Sequence, residues 1–200
     1  MARVGRPPGK SSEQTRADIV AAALEQFVRV GYERATNRAI AEGAGVTAGA
    51  IYGYFASKTE LWVAVVEETI DQLMPRLRAA AESAPTARAA LSAIVKEQLT
   101  IEQHVGPTRF MASIPVELQR HPELAEAMAA QPGAFYELIV EVVTRGKHNG
   151  EISRDNAEKA VAVFIAGMIG LSIHGGTMPR DHAEAAVAGF VELLEGTLFL

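Results

Sequence analysis

The residues best equipped for chemistry gather in one stretch, residues 36–60, TNRAIAEGAGVTAGAIYGYFASKTE. Arg38 carries a planar guanidinium that can fork onto the O6 and N7 acceptors of a guanine. Thr47 and Ala50 offer methyl groups suited to the methyl of thymine, and Tyr52 and Tyr54 can reach a phosphate or a base edge with their hydroxyls. Ala48, Gly49 and Gly53 are small, so the backbone that carries them can approach a groove closely. Upstream, Arg3 and Arg6 sit in a Gly/Pro-rich basic run over residues 1–11. Such a run can lay a flexible arm along phosphates or into a minor groove, or simply serve as a solubilising tail. This set of groups can hold a duplex; it cannot make or break a covalent bond.

The elements that position these residues have legible signals. Thr36 stands where an N-cap belongs for a helix over 37–44, and Thr47 repeats the arrangement for a helix over about 48–54. Gly45 supplies the backbone freedom of the turn between them, and Ile40, Ala41, Ala44, Val46, Ile51 and Phe55 are the apolar positions that hold the pair together. That is a helix-turn-helix. Ser57, Lys58, Thr59 and Glu60 fit a capping box that starts a new long helix. A first helix over about 12–30, with Ile19, Val20, Ala23, Leu24, Phe27 and Val28 on one stripe and Gly31 as its stop, completes a three-helix module.

At these residues the chain resembles a known family. An Arg in the first turn of helix two, followed by G-V-T-x-G-x-I-Y-x-Y-F-x-S-K-x-E-L from Gly45 to Leu61, looks like the DNA-binding domain of the tetracycline-repressor (TetR) family of transcriptional regulators. The resemblance covers about 15–65 and is one of architecture beyond that. It implies that Arg38 reads bases, and that Thr36, Tyr52 and Lys58 contact phosphates. It also departs from the family pattern at Gly53, Ala48 and Ala50, where larger or more polar residues are common, which leaves the third helix few side chains for direct readout.

Bulk composition agrees with a protein of this kind. Two hundred residues, 48% of them hydrophobic, suffice for a sizeable core. Net charge is -5, yet residues 1–62 hold eight Lys/Arg against six Asp/Glu, so the basic end points at nucleic acid. The absence of cysteine rules out disulfides and thiol ligands and suits a cytoplasmic location. The basic start lacks the apolar core of a signal peptide, and the most apolar run, 160–173, is short for a bilayer, so no membrane partner is expected.

Beyond the head, the long helix from Ser57 is expected to run to about Arg78, kinked or ended by Pro75. Helix five follows over about 87–103. Short pieces over 109–114 and 116–121 are expected to be stopped by Pro115 and Pro122, then a helix over 122–147 interrupted at 131–133. Two last helices are apolar almost all round, which argues for burial on two fronts and a dimer interface through Phe164, Met168, Leu171, Val187, Phe190, Val191 and Leu194. Candidate ligand-pocket residues are Trp62, Met74, His104, Arg109, Phe110, Met111, Phe135, Tyr136, Met168 and His174, which together suggest a mostly hydrophobic ligand.

No catalytic constellation is spelled. The five histidines show no i, i+4 pair and no HExxH, no glycine-rich phosphate loop follows a strand, and no metal or cofactor is expected. The expected architecture is all-α with about nine helices: a flexible basic arm over 1–11, a homeodomain-like helix-turn-helix domain over 12–56, and a ligand-binding and dimerisation domain over 57–200. The function this implies is a ligand-responsive regulator, a repressor that binds a palindromic operator as a homodimer and leaves it when a small molecule binds. An activator or an effector-independent regulator would carry the same head, and a helical ligand carrier would keep the pocket without the DNA role.

Overall fold

The computed structural model describes residues 11–102, 106–129, 133–177 and 179–198, with side chains described throughout except at 99–102, 108, 174–177 and 180. Arg3, Arg6 and His104, and the side chain of His174, lie outside the described residues. Among the described residues there are ten α-helices, one short 3-10 helix and no strand. The helices are α1 Ser12–Arg34, α2 Asn37–Ala44, α3 Ala48–Ile51, α4 Lys58–Glu82, α5 Ala87–Glu102, α6 Pro107–Arg120, α7 Pro122–Met128, α8 Ala134–His148, α9 Ala157–Thr177 and α10 Arg180–Glu195.

They pack as two compact units, Met1–Thr69 with Ser113–Gln131, and Ile70–Ala112 with Pro132–Leu200. The chain therefore divides inside α4, at Thr69, rather than at residue 57. In the first unit, Ser11 accepts the Gln14 amide at 3.0 Å and so starts α1. Ile19, Val20, Ala23 and Phe27 of α1, Ile40 and Ala41 of α2, Ile51, Phe55, and Leu61, Trp62 and Val65 of α4 are all buried, at about 1.5–3 kcal/mol for each large side chain. Gly31 has φ +80° and breaks α1 where the sequence places its stop; Tyr32, Glu33 and Arg34 follow as an extra turn in a new direction.

In the second unit, α5 packs on α8 and α10, and α9 packs on α8 and α10. Leu91, Ile94, Leu138, Ile139, Val142, Phe164 and Val191 form the centre of that core. Gly146 lets α8 meet α5 at close range: a Cβ there would lie 2.5 Å from the Ala87 Cβ. Arg78 and Glu141 pair at 2.6 Å at the surface, and the salt bridge holds the Glu141 carboxyl below its ordinary pKa.

Three details depart from the sequence reading. Prolines 75 and 115 lie inside continuous helices, so Pro115 does not stop a short piece, and 107–120 is one helix. Each proline forfeits one backbone hydrogen bond, and buried contacts on both sides of it, such as Phe110 before Pro115 and Glu117 after, hold the helix together. The segment over 122–147 is two helices, α7 and α8, which is why the described residues hold ten helices rather than nine.

Candidate nucleic-acid interface and apolar cavity

The helix-turn-helix is built as its caps require. Thr36 Oγ1 accepts the Ala39 amide and Thr47 Oγ1 accepts the Ala50 amide, each at 3.2 Å, so both hydroxyls keep a hydrogen to donate outward. Gly45 closes α2 in the left-handed region (φ 67°), and the Val46 amide returns to the Ala41 carbonyl at 2.9 Å, a Schellman-type ending. Only Ala48–Ile51 of the third helix is regular; the Gly53 amide then bonds the Ala50 carbonyl and the Tyr54 amide the Ile51 carbonyl, tightening the last turn. Thr36, Arg38, Ala48, Gly49 and Tyr52 are exposed, and Tyr52 is 63% so. A large aromatic left that open on a small module is not core; it is available to a partner. Ala50 and Thr47 are half-buried, as is Tyr54, whose hydroxyl lies 3.4 Å from Ser12 Oγ and ties the turn to the start of α1.

Lys58, a phosphate contact by the family resemblance, is engaged within the protein in this structure. Its Nζ donates to the carbonyl oxygens of Tyr32 (2.9 Å), Glu33 (3.1 Å) and Ala35 (3.4 Å) and lies 4.4 Å from the centre of the Tyr32 ring. All three ammonium donors are thus spent within the protein. A cation at the first position of α4 is disfavoured by the helix dipole by roughly 0.3–1 kcal/mol. The carbonyls left open at the end of α1 offset that cost.

Around Tyr32 the first unit has a polar knot that sequence reasoning missed. Glu117 of α6 accepts the Tyr32 amide at 3.2 Å, and its other oxygen lies 3.3 Å from His121 Nε2. The His121 ring stands edge-on to Tyr32 at 4.9 Å, and the Tyr32 hydroxyl meets Thr59 Oγ1 at 3.0 Å. Burial raises the Tyr32 phenol above its ordinary pKa, against the Thr59 hydrogen bond, which lowers it. Trp62 is wholly buried here, with its ring 6.4 Å from Tyr32. It belongs to this core and not to a ligand pocket, because the first turns of α4 are enclosed by the head.

The second unit contains a cavity of ≈ 120 Å³ lined by Ile70, Leu73, Met74 and Leu77 of α4, Gln98 of α5, Met111 and Ala112 of α6, Phe135 of α8, and Met168, Ile169 and Ser172 of α9. Met74, Met111, Phe135 and Met168, four of the residues the sequence offered for a ligand pocket, line this cavity. Arg109 and Tyr136 are exposed, the latter at 57%, and Phe110 is buried in packing; none of the three lines the cavity. Phe110 and Tyr136 share one cause, since each is next to a lining residue, Met111 and Phe135, and a step of one residue on a helix turns the side chain by some 100°. The polar residues of the lining are Gln98 and Ser172: Gln98 Nε2 donates to Ser172 Oγ at 3.0 Å, and Ser172 donates to the Met168 carbonyl at 3.0 Å. A signal for both existed. Gln98 continues the Leu91, Ile94, Val95 stripe and Ser172 the Phe164, Met168 stripe, so each is a polar residue on an apolar face.

On α9 and α10 the exposed face differs from the expected one. Phe164, Met168, Val187 and Val191 are buried in the unit's own core, while Leu171, Phe190 and Leu194 pack partly against it. Val163 (64% exposed), Ile173, Leu193 and Leu198 are the large side chains left open. Leu193 and Leu198 border a shallow groove floored by Gly167, Gly170 and Gly189, into which Phe190 is laid. A helix that is apolar on all sides gives periodicity nothing with which to tell inside from outside. By length and composition alone α9 could also cross a membrane; its buried side instead fills the core between α8 and α10.

Comparison with known proteins places these features in context. Residues 19–65 match the family described as "Bacterial regulatory proteins, tetR family". Residues 87–195, more than half the chain, match "BetI-type transcriptional repressor, C-terminal". The probable HTH-type transcriptional regulator ArpR of Pseudomonas putida is 28% identical over 173 residues, which cover 80% of this chain and 81% of ArpR. The HTH-type transcriptional activator FasR of Mycolicibacterium smegmatis is 34% identical over 92 residues, 46% of this chain and 42% of FasR, so the chain matches less than half of that relative's length. Among solved structures, the transcriptional regulator FadR from Bacillus subtilis in complex with stearoyl-CoA superposes with a TM-score of 0.71 at 20% identity, over 90% of this chain and 98% of that one. That last likeness is one of fold.

Proposed function

Because the chain belongs to the TetR family of bacterial regulatory proteins, we propose that this transcriptional regulator acts in the cytoplasm as a homodimeric repressor, released from a palindromic operator by a mostly apolar small molecule. The observation that carries the DNA-reading half is the outward face of α2 and α3. Arg38, Ala48, Gly49 and Tyr52 are exposed there, while Ile40, Ala41 and Ile51 on the inward faces are buried. The small residues admit backbone close to base edges, Arg38 and the methyls of Thr47 and Ala50 discriminate between them, and Thr36 and Tyr52 grip phosphates. Arg3 and Arg6 extend the grip into an adjacent groove.

Open apolar side chains on α9 and α10 support the homodimer, since a contiguous exposed apolar face marks an association surface and small residues allow close helix approach. A two-fold axis through that face would set two heads about 34–36 Å apart, or a further whole turn of duplex. The cavity supports the effector: eight of its eleven lining residues are Ile, Leu, Met or Phe, and Gln98 and Ser172 supply the hydrogen bonds that orient a ligand. Residues of α4 line it, and α4 begins beside the head, so tilting that helix would change the head spacing. To empty an operator fully, the effector must favour the non-binding state by about 10⁴-fold. Repression, rather than the activation by which FasR is named, is favoured by the match of residues 87–195 to a repressor's carboxy-terminal domain.

Arg38→Ala tests the head. Operator affinity should fall by ~1–3 kcal/mol, with relaxed preference at one base position per half-site, as read by fluorescence anisotropy on a set of single-base operator variants. Uniform weakening on every duplex would make Arg38 a phosphate contact instead.

A further inference from the structure

The hydroxyl of Ser172 has one hydrogen, and the fold has already committed it. Ser172 Oγ donates to the Met168 carbonyl, one turn earlier in α9, at 3.0 Å. Toward Gln98, also at 3.0 Å, the same oxygen can therefore only accept. That settles which way round the Gln98 carboxamide stands, because turning it over would set its carbonyl oxygen against a hydroxyl with no hydrogen left to give. Nε2 is held toward Ser172, and Oε1 keeps both lone pairs, with no partner among the described residues.

Gln98 and Ser172 are the two polar residues in the described lining of the second unit's cavity, and none of that described lining is charged. Gln98 thus brings to an apolar wall one spare N–H and a carbonyl that can accept twice. A ligand that buries this carbonyl without donating to it strips the group of water and returns nothing. A charged ligand is worse placed, since no opposite charge in the described lining meets it.

The rest of the wall sets the body of the ligand. At ≈ 120 Å³ the cavity is close to the roughly 150 Å³ that takes one benzene ring in an apolar core. Met74 of α4, Met111 of α6 and Met168 of α9 come to it from three helices, with Phe135 of α8 beside them. Thioethers and an aromatic neighbour favour an aromatic ring over a saturated chain of equal size, and unbranched methionines can shift to admit a substituent.

We propose that the cavity takes an uncharged, single-ring aromatic compound bearing a hydrogen-bond donor, a phenol being the simplest. Gln98 Oε1 accepts from the ligand, and Ser172 is the positioning residue that fixes the orientation of Gln98. This rests on the reading of the cavity as the effector site and names the chemical class that the site selects. A hydroxyl donates to Oε1, whereas an ether of the same shape can draw only on the spare N–H and leaves Oε1 without a partner.

Calorimetric titration of the intact protein with para-ethylphenol, para-ethylanisole and para-ethylbenzoate tests the assignment. The phenol should bind about tenfold or more tighter than either of the others. Gln98→Met, which keeps the length of the side chain and removes its amide, should bring phenol and anisole to within about twofold of each other. Ser172→Ala should lower the same ratio by another route, since it frees the carboxamide to turn over and the anisole gains; an unchanged circular-dichroism spectrum shows that the fold is kept. Equal binding of phenol and anisole by wild type, tighter binding of the benzoate, no binding of the phenol at millimolar concentration, or a phenol preference that survives in both variants would overturn the proposal. Operator release is read separately, by anisotropy on a duplex the protein has selected from a random pool. Binding in the expected ratios without release would leave the ligand class standing and remove the effector reading; release by all three compounds alike would do the reverse.

Discussion

Carrying aspartate at both Val163 and Leu193, the protein should purify as a folded monomer whose affinity for a palindromic duplex has fallen at least about 100-fold. Both side chains stand open, at 64% and 49% exposure, so the replacements leave the chain's own core intact. In a symmetric interface each substitution is met twice, and each carboxylate would be buried against an apolar face with no cation to meet it. Breaking such a surface costs several kcal/mol per uncompensated charge, which exceeds what a dimer held by apolar packing can absorb. The monomer would retain a competent head but engage one half-site, so the loss in affinity follows from lost bivalency rather than lost contacts. Sedimentation at micromolar concentration with an unchanged helical circular-dichroism spectrum is the check. A double mutant that stays dimeric would place the interface elsewhere.

Trp62→Ala should destabilise the protein by ~3–5 kcal/mol, a large share of the about 5–15 kcal/mol that a domain of this kind commonly has. The ring is wholly buried and stands edge-on to Tyr32 at 6.4 Å, so its removal leaves a cavity at the centre of the polar knot that Glu117 and Lys58 complete. Chemical denaturation gives the number directly. Operator binding should fall with stability, and a hydrophobic effector that fills the cavity of the second unit should not restore it. A Trp62→Ala protein of normal stability, with weakened effector binding alone, would return Trp62 to the ligand site.

How much of this was legible before the structure depends on which kind of signal each feature sends. Local rules served well in the head. The caps at Thr36 and Thr47 form as their residue types require, and Gly31 and Gly45 take the positive φ that a stop demands. Even the restart at Ser57 is a capping box in substance. Ser57 accepts the Glu60 amide at 3.0 Å, although Glu60 reaches back to the Ala56 amide, one residue further than the motif specifies. Long-range partners sent no such signal. Nothing near Lys58 announces that its ammonium will close on carbonyls some 23 to 26 residues earlier, and nothing near Glu117 points to an amide 85 residues away.

In the larger unit the difficulty was one of direction. Helices α9 and α10 were recognisable, but with apolar residues on every side the choice between Phe164 inward and Val163 outward needs the neighbours α5 and α8, which only the folded chain supplies. The same holds for the cavity, which methionines 74, 111 and 168 line, while Phe110 and Tyr136 are one helical position away from a lining residue. Gln98 and Ser172 were readable from their apolar stripes.

The most direct measurement of the whole account is selection of bound fragments from a random duplex pool, followed by sequencing. Enrichment of one inverted repeat, its half-sites centred about one turn of duplex apart or a whole number of turns, is the predicted result. Recovery of unrelated sequences, or of a single unrepeated half-site, would contradict a paired head reading a palindrome.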